Sequence, residues 1–212
     1  MDKRLEYFSE VSKIDSESFV YVDECGSGLN LSNKYGYSLK GTKCFGIFNH
    51  SNRKRLNIIA ALRITKTNFV DKKKSKPNIK SPDEISLDFK GNKKIFGVWS
   101  TYENINTKLF EEYVEKSLLP TLKEGDTVVL DNATIHKSVK VKQLLKSKKC
   151  YLKFLPAYSP DFNPIENSWA LYKKRFVKCE RQFCEKYKTY IEKYKISAEN
   201  CLLNIYNNLD TA

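Results

Sequence analysis

Short apolar runs separated by polar turns dominate the first half of the chain. Four such runs, rich in β-branched and aromatic residues, occupy 19–22, 43–49, 55–64 and 95–99. Runs of this length and composition predict β-strands, and the polar turns between the first three favour an antiparallel meander. We expect the first strand to stop at Asp23 and Glu24, because two glycines follow closely.

The second half alternates between strand-like and helix-like patterns. A helix is predicted to open at Asn106 or Thr107 and to end before Gly125. Its apolar face consists of Leu109, Phe110, Tyr113, Val114 and Leu118. The other predicted elements are a short helix within 4–14, strands over 127–131 and 151–155, a basic amphipathic segment over 137–146 and a helical pattern after Glu166. Together they predict an α/β fold, a mixed sheet flanked by helices.

Residues 65–94 interrupt this order. The stretch is lysine-rich, contains two prolines and lacks clear periodicity, which is typical of an inserted loop or arm. It could lie along a phosphate backbone or be a solvated insertion, and the pattern favours neither. We therefore divide the chain into a domain over 1–178, which contains this insertion, and a helical extension over 179–212.

The net charge of the chain indicates which class of partner it binds. The chain has 38 Lys and Arg against 25 Asp and Glu, a net charge of +13 and a pI near 9.3. This surplus favours a polyanionic partner, nucleic acid before an anionic membrane. The alternative is the surface of a protein from a lysine-biased genome, because only six of the 38 basic residues are Arg.

Membrane and zinc sites find little support in the composition. There is no run of about 18 to 20 apolar residues, and no secretory signal is visible at the N-terminus. The six cysteines are scattered without a C-x-x-C pair, and two histidines argue against a zinc site. We expect a cytoplasmic protein with reduced thiols.

Two aspartates follow apolar strands in the same way. Asp23 follows Phe19-Val20-Tyr21-Val22, and Asp131 follows Val128-Val129-Leu130. If the two strands are neighbours, both carboxylates reach the crevice at the strand ends. Carboxylate ligands without Cys or His select Mg²⁺ or Mn²⁺, and two such ions would support phosphodiester chemistry. For either aspartate alone, a plain turn after a strand is the favoured interpretation.

Glu166 is a third acid with two interpretations. Asn163 suits an N-cap, Pro164 the first helical position and Glu166 the third, which is the reciprocal position of a capping box. Such a cap alone would stabilise the helix by about 1 kcal/mol. The same position also lets the carboxylate reach a neighbouring strand end. Spacing does not decide between a cap and a metal ligand.

The motif strings around these acids carry a family resemblance. LLPTLKEGDTVVLDNATIHKSVKVKQLL and YLKFLPAYSPDFNPIENSWALYKKRF closely resemble the catalytic core of mariner-superfamily transposases, specifically the bacterial insertion-sequence branch. FVYVDECG resembles the family's first-aspartate strand, and KYGYSLKG and RLNIIAAL its second and third strands. The 34 residues between Asp131 and Glu166 fit the family's spacing.

The resemblance implies an RNase H-like fold with a mixed five-stranded sheet. It implies that Asp23, Asp131 and Glu166 together hold two metal ions, which are Mg²⁺ or Mn²⁺. The implied reaction is DNA cleavage at transposon ends followed by strand transfer, with end and target DNA as partners. Asn132 and His136 match family positions beside the second aspartate and are expected to line the site, or else to have a helix-capping or surface role.

The resemblance also raises an expectation about what precedes the first acid. Family members place helix-turn-helix modules over about a hundred residues there, whereas 22 residues precede Asp23. We expect a catalytic domain without that module, in a bacterial, nucleoid-associated protein, with a second copy of the chain as a candidate partner. Two alternatives stay open: another RNase H-like endonuclease, acting on RNA–DNA hybrids or junctions, and an inactive DNA-binding remnant.

Overall fold

A mixed five-stranded sheet forms the centre of the molecule. The computed structural model describes residues 3–28, 37–44, 55–65, 91–173, 199, 202 and 203. The strands are β1 (Phe19–Gly28), β2 (Arg55–Thr65), β3 (Asn92–Thr101), β4 (Thr127–Leu130) and β5 (Tyr151–Phe154). Their spatial order is β3-β2-β1-β4-β5; β1, β2 and β3 run antiparallel, whereas β4 and β5 run parallel to β1. The predicted α/β fold with a mixed sheet is therefore confirmed.

Helices cover both faces of this sheet. They are α1 (Lys3–Val11), α2 (Thr107–Tyr113), α3 (Val139–Ser147) and α4, which begins at residue 165 and is described as far as residue 173. Asn106 caps α2 through a 3.0 Å hydrogen bond from the backbone amide of Leu109, as its residue type predicts. A π-helical turn, Val114–Leu118, extends α2 and buries the end of its predicted apolar face.

The strand period sorts the core into two clusters. On one face of β1, Phe19, Tyr21 and Cys25 pack with residues of α1 and α4. On the other face, Val20 and Val22 pack with residues of α2 and α3. Because successive side chains of a strand alternate between faces, each acid of β1 is assigned to one of these layers by its position alone.

The first strand is longer than predicted. β1 does not stop at Asp23 but continues to Gly28, because β2 pairs with it from Val20↔Arg63 as far as Gly28↔Arg55. The parallel partner β4 is shorter, and its ladder with β1 begins at Phe19↔Thr127 and ends at Tyr21↔Val129. Extending that register by two residues places Asp23 beside Asp131, so the two acids are neighbours although one lies inside a strand.

Two strand predictions need correction. RLNIIAAL belongs to β2, the second of the strands within the described residues, and the third of these strands is β3. The described part of KYGYSLKG, residues 37–41, is not a strand, and a turn there is closed by a 2.9 Å hydrogen bond from the Thr42 amide to the Leu39 carbonyl. Residues 45–49 of the predicted 43–49 strand lie outside the described residues.

The predicted insertion and extension fall mostly on residues that are not described. Of the 65–94 stretch, residues 66–90 lie outside the described part, whereas Asn92 to Lys94 belong to β3. Of the 179–212 extension, only 199, 202 and 203 are described, all in helical conformation. Leu202 is buried in the α1 and α4 layer, and Glu199 accepts a 2.6 Å hydrogen bond from the Ser100 hydroxyl. At least this part of the segment therefore packs on the sheet, while the domain boundary at 178 stays a prediction.

No helix within the described ranges is long and apolar enough to cross a membrane.

Candidate active site

Asp23 is the most buried acid of the site. It lies on the α4 side of β1 with 9% of its surface exposed. Its Oδ2 accepts hydrogen bonds from Trp169 Nε1 at 3.2 Å and from Asn163 Nδ2 at 3.4 Å. Burial, followed by the negative charges of Glu24 and Glu166, raises the pKa of Asp23 to about 7. Both of these side-chain donors are neutral, so they orient the carboxylate without offsetting its charge.

Asp131 is the first residue after β4 and has the opposite electrostatic setting. It is half-buried, and its Oδ1 accepts from the Ala133 amide at 2.9 Å and lies 2.6 Å from His136 Nδ1. The hydrogen bond from His136 is the main reason that the pKa of Asp131 lies below its ordinary value. The bond to Ala133 also closes a turn, so the turn interpretation and the site interpretation describe the same aspartate.

His136 connects the second acid to the opposite face of β1. The ring is wholly buried, and its Nε2 lies 2.8 Å from Glu24 Oε1. Burial alone would lower the pKa of His136, but the hydrogen bonds to Asp131 and Glu24, with their negative charges, raise it to about 10. The imidazolium is therefore protonated at neutral pH and stands between two carboxylates.

This placement corrects the expectation for His136. His136 is not among the residues that line the cavity. It is also neither a surface nor a capping residue, because its buried ring binds Asp131 through Nδ1 and Glu24 through Nε2. Its partner Glu24 is not one of the three acids that the sequence singles out. The alternation of β1 places Glu24 on the face opposite to Asp23, but the sequence carries no sign that a histidine 112 residues away would meet it.

Glu166 lies in the first turn of α4 with its side chain exposed. Its backbone amide donates a 3.2 Å hydrogen bond to the carbonyl of Asn163. The side chain of Asn163 is buried and donates to Asp23, so the residue predicted as a cap also ties the start of α4 to the first aspartate. Trp169, the other neighbour of Asp23, is a residue that the sequence did not single out.

The three predicted acids line one cavity. It has a volume of about 390 Å³ and its walls include Asp23, Asp131 and Glu166. Asn132 also lines it, and its Nδ2 donates a 2.6 Å hydrogen bond to the Leu155 carbonyl, which ties the ends of β4 and β5 together. The structure thus brings together acids from the middle of β1, the end of β4 and the start of α4.

The acids share the cavity without converging on a point. Among the described residues, no group of three His, Cys, Asp or Glu side chains is arranged closely enough to hold a metal ion. The donor set nevertheless suits a hard cation, because carboxylate oxygens face the cavity and no thiol does. A divalent ion would also offset the cost of ionising Asp23 beside Glu166. The residues therefore fit such an ion chemically, and the side chains must adjust to bind it.

Comparison with known families identifies the second part of the chain. Residues 89–189 match the sequence model of the family described as DDE superfamily endonuclease. The match includes Asp131 and Glu166 and begins after Asp23.

Transposases are similar to the chain in sequence and in fold. The Tc3 transposase of Caenorhabditis elegans is 54% identical over 41 residues, which are 19% of this chain and 12% of that protein. The pre-cleavage Mos1 transpososome, at 12% identity, superposes with a TM-score of 0.54 over 97% of this chain and 58% of that chain. The Mos1 paired-end complex with the left transposon end gives 0.53 at 11% identity, with the same coverage.

The relatives are longer than this chain, and the two structural relatives are distant in sequence. The chain spans less than two thirds of the length of each of these relatives. At 11% and 12% identity the Mos1 structures show the fold, and the predicted RNase H-like fold is thereby confirmed. Residues 89–189 are therefore similar to a DDE superfamily endonuclease domain, and the chain is similar to the Tc3 transposase in sequence and to the Mos1 transposase in fold.

Proposed function

We propose that this chain is the catalytic part of a DNA transposase, which cuts DNA at the ends of a mobile element and joins the ends to a target. The observation that carries the proposal is the shared cavity of Asp23, Asp131 and Glu166, three acids from three separate elements. The family match and the similarity to Tc3 transposase support it. An RNase H-like fold alone would leave the reaction open, because one fold hosts many chemistries.

We assign the three acids as the ligands of Mg²⁺ or Mn²⁺, two ions in all. Mos1 paired-end complexes of the same fold have been solved with Mn and with Mg, at TM-scores of 0.52 each. When bound, such ions activate a water or a 3′-hydroxyl and stabilise the leaving oxygen of the phosphodiester. Asn132 lines the cavity next to Asp131 and would contact the substrate or an ion's water shell.

The protein's own residues prepare the acids for this role in two ways. Asp131 is ionised and oriented by the His136 imidazolium and by the Ala133 amide. Asp23 is oriented by hydrogen bonds from Trp169 and Asn163. Because its pKa is about 7, its carboxyl group is partly protonated near neutral pH. Binding of a cation would displace that proton from the Asp23 carboxyl group.

DNA is the proposed substrate and the polyanion that the charge of +13 favours. The structural relatives include complexes of Mos1 with transposon-end DNA, and we extend that partner to this chain. One cavity contains one set of acids, whereas a mobile element has two ends. We therefore propose that two copies of the chain act together.

The motif strings of the sequence favour the bacterial insertion-sequence branch of these transposases. On that basis we place the protein on the bacterial nucleoid.

Removal of one acid tests the assignment. Asp131→Ala should reduce Mg²⁺-dependent nicking of supercoiled plasmid by on the order of 10⁴-fold, the scale expected when a catalytic carboxylate is lost. Glu124→Ala is the matched control, because Glu124 is an exposed acid whose ion pair with Lys149 is also exposed. Circular dichroism should show that both variants fold. Undiminished nicking by Asp131→Ala would refute the assignment of the site.

A further inference from the structure

Arg55, the first residue of β2, has a positive charge that no described carboxylate neutralises. Two other arginines are described, and both bind acids. Arg4 pairs with Asp161 at 2.7 Å, and Arg63 pairs with Asp126 at 2.5 Å. The Arg55 side chain is exposed and forms no ion pair with another described residue. An arginine that the described fold does not use for an ion pair is available to an external anion.

The guanidinium of Arg55 rests on the backbone of β1 at Gly26. A Cβ added to Gly26 would lie only 1.9 Å from Arg55 Nε and 2.3 Å from Arg55 Cζ. The φ of Gly26 lies outside the left-handed region, so the backbone conformation does not require glycine. The missing side chain therefore serves the close approach of the guanidinium, which we call the Gly26–Arg55 contact.

The acid next to this contact is already engaged. Glu24 lies two residues before Gly26 and so on the same face of β1. Its Oε1 lies 2.8 Å from Nε2 of the His136 imidazolium. Because Glu24 is bound to that cation, the charge of Arg55 is left exposed on this face.

The Gly26–Arg55 contact lies near the acids of the cavity. It is three residues beyond Asp23, or about 10 Å along β1. The thiol of Cys25, between them, responds to charges of both signs. Burial raises its pKa to about 11, and the charges of Lys173 and Arg55 act against this rise. The charges of Asp23 and Glu166 add to it. Cations and acids are thus within electrostatic reach of one residue of β1.

This part of β1 is also open on one side. The described ladder between β1 and β4 ends at Tyr21↔Val129, whereas β2 pairs with β1 as far as Gly28↔Arg55. Beyond Asp23, β1 therefore has no described strand on the side away from β2. A DNA strand with one phosphate at Asp23 can continue past this open edge.

We propose that the guanidinium of Arg55, positioned by Gly26, binds a DNA backbone phosphate that neighbours the phosphate cut by the acids. The proposal rests on the function proposed above and adds a contact that fixes the strand in the cavity. A guanidinium donates two parallel hydrogen bonds to phosphate oxygens, and its position on the strand backbone fixes their direction. Neutralisation of a phosphate also releases counterions, so the contact should appear in the salt dependence of binding.

Fluorescence anisotropy of a labelled DNA duplex with a 3′ overhang tests this contact without cleavage. The 212-residue chain is titrated in EDTA at several concentrations between about 50 and 200 mM salt. Arg55→Gln should weaken binding about tenfold at the lowest salt and reduce the slope of log K against log salt by about 0.9, the value of one phosphate. Arg55→Lys should keep the slope and lose about threefold in affinity, because lysine keeps the charge but not the paired donors.

Two glycine substitutions test the position of the guanidinium. Gly26→Ala would displace it, and the fold should survive because the displaced atoms are the end of a flexible side chain. Binding should weaken about threefold although no charge changes. Gly28→Ala is the matched control, since Gly28 lies on the same face of β1 and an added Cβ has nothing within 4 Å. It should bind as the wild type does, and circular dichroism should show that both variants fold.

Lys94→Gln controls for the loss of one positive charge. Lys94 is exposed and pairs with Arg63 across β2 and β3, about 26 Å from Arg55 along β2. Equal losses of affinity in Lys94→Gln and Arg55→Gln would overturn the proposal, because the effect would then be one of net charge. Equal binding by Gly26→Ala and Gly28→Ala would also overturn it, as would a wild type that does not bind the duplex.

The phosphate contact and the catalytic assignment fail separately. Asp131→Ala should bind the duplex in EDTA at least as tightly as the wild type while losing Mg²⁺-dependent nicking. If Asp131→Ala nicks normally, the catalytic assignment is wrong. If Arg55→Gln binds DNA with the affinity and salt slope of the wild type, the phosphate contact is wrong and the catalytic assignment stands.

Discussion

Asp23, inside β1, and Asp131, the first residue after β4, lie beside each other but have opposite electrostatics. Both follow apolar residues that pair in register, and both line the same cavity. Burial raises the pKa of Asp23 to about 7, whereas the hydrogen bond from His136 lowers the pKa of Asp131. Asp131 thus has an imidazolium beside it that offsets its charge, whereas the two described side-chain donors of Asp23 are neutral.

The difference follows from what lies opposite each carboxylate. The α4 layer offers Asp23 the neutral donors Trp169 and Asn163, which orient it without neutralising it. The loop after β4 offers Asp131 the imidazolium of His136, whose second nitrogen is held by Glu24. We infer that Asp131 is pre-organised before a metal arrives, and that Asp23 is the ligand whose charge the metal chiefly stabilises.

Removal of the charge of Asp23 or of Asp131 should have the largest effect on nicking. Asp23→Asn and Asp131→Asn should each reduce Mg²⁺-dependent nicking by on the order of 10⁴-fold. Their binding of Mn²⁺, measured by calorimetry, should also weaken. If Asp23→Asn retained nicking near the wild-type rate, the comparison would lose its functional meaning, because Asp23 would be a structural acid only.

The pH dependence of stability should separate the two aspartates. The pKa of Asp23 is higher in the folded state, about 7, than its ordinary value of 3.8, so the folded chain holds this proton more tightly. The metal-free protein should therefore lose stability as the pH rises from about 4 through about 7, by up to about 4 kcal/mol from this group. Asp131, with a lowered pKa, contributes in the opposite sense, since it stabilises the fold at neutral pH and loses that effect in acid.

Urea unfolding of the metal-free chain at pH 5.5 and pH 8 measures this difference. Asp23→Asn should be more stable than the wild type at pH 8 and should lose only part of the pH dependence, because His136, whose pKa is also raised, contributes in the same sense. Asp131→Asn should be less stable than the wild type at pH 8. A wild type that is equally stable at both pH values would contradict the raised pKa of Asp23.

Substitution of Glu24 tests whether Asp131 is pre-organised, and it should have a smaller effect on nicking than loss of either aspartate. Glu24→Gln keeps the shape of the side chain but removes one of the two charges that hold His136 protonated. The pKa of His136 should fall and Asp131 should be oriented less firmly, so nicking should drop about 10- to 100-fold. The pH profile of nicking should shift as well, which a purely structural defect would not cause. Glu115→Gln, which alters an exposed ion pair with Lys140, serves as the control.

Substitution of Arg4 should have the smallest effect on nicking. Its guanidinium binds Asp161, which is 41% exposed, and lies 4.4 Å from the ring centroid of Phe162. Arg4→Lys keeps the charge but loses the bidentate geometry, and we expect at most about 1 kcal/mol of lost stability. Nicking should fall only several-fold, because the loop before Glu166 is loosened while the acids remain. A loss as large as that of Asp131→Asn would mean that α1 belongs to the catalytic machinery itself.

Several features of the site could be predicted because they are local. Asp23 and Asp131 each follow a run of apolar strand residues, and Glu166 falls in the first turn of a helix, as the residues around it predict. The helix cap at Asn106 is local too. In such cases the determining residues lie within a few positions along the chain, so periodicity and residue type suffice.

Other features depend on contacts between distant parts of the chain, which no local pattern encodes. The length of β1 is decided by its pairing with β2, and the raised pKa of Asp23 by packing against residues about 140 positions away. The meeting of Glu24 with His136 spans 112 positions.

The amino-acid sequence by itself determined which acids are candidates and on which elements they lie. Only the tertiary structure decided that all three line one cavity and that the two aspartates have opposite electrostatics. It also decided that the Arg55 guanidinium rests on the backbone of Gly26. The physical reason is that burial and Coulomb interactions depend on distances in space, which the order of residues along the chain does not specify.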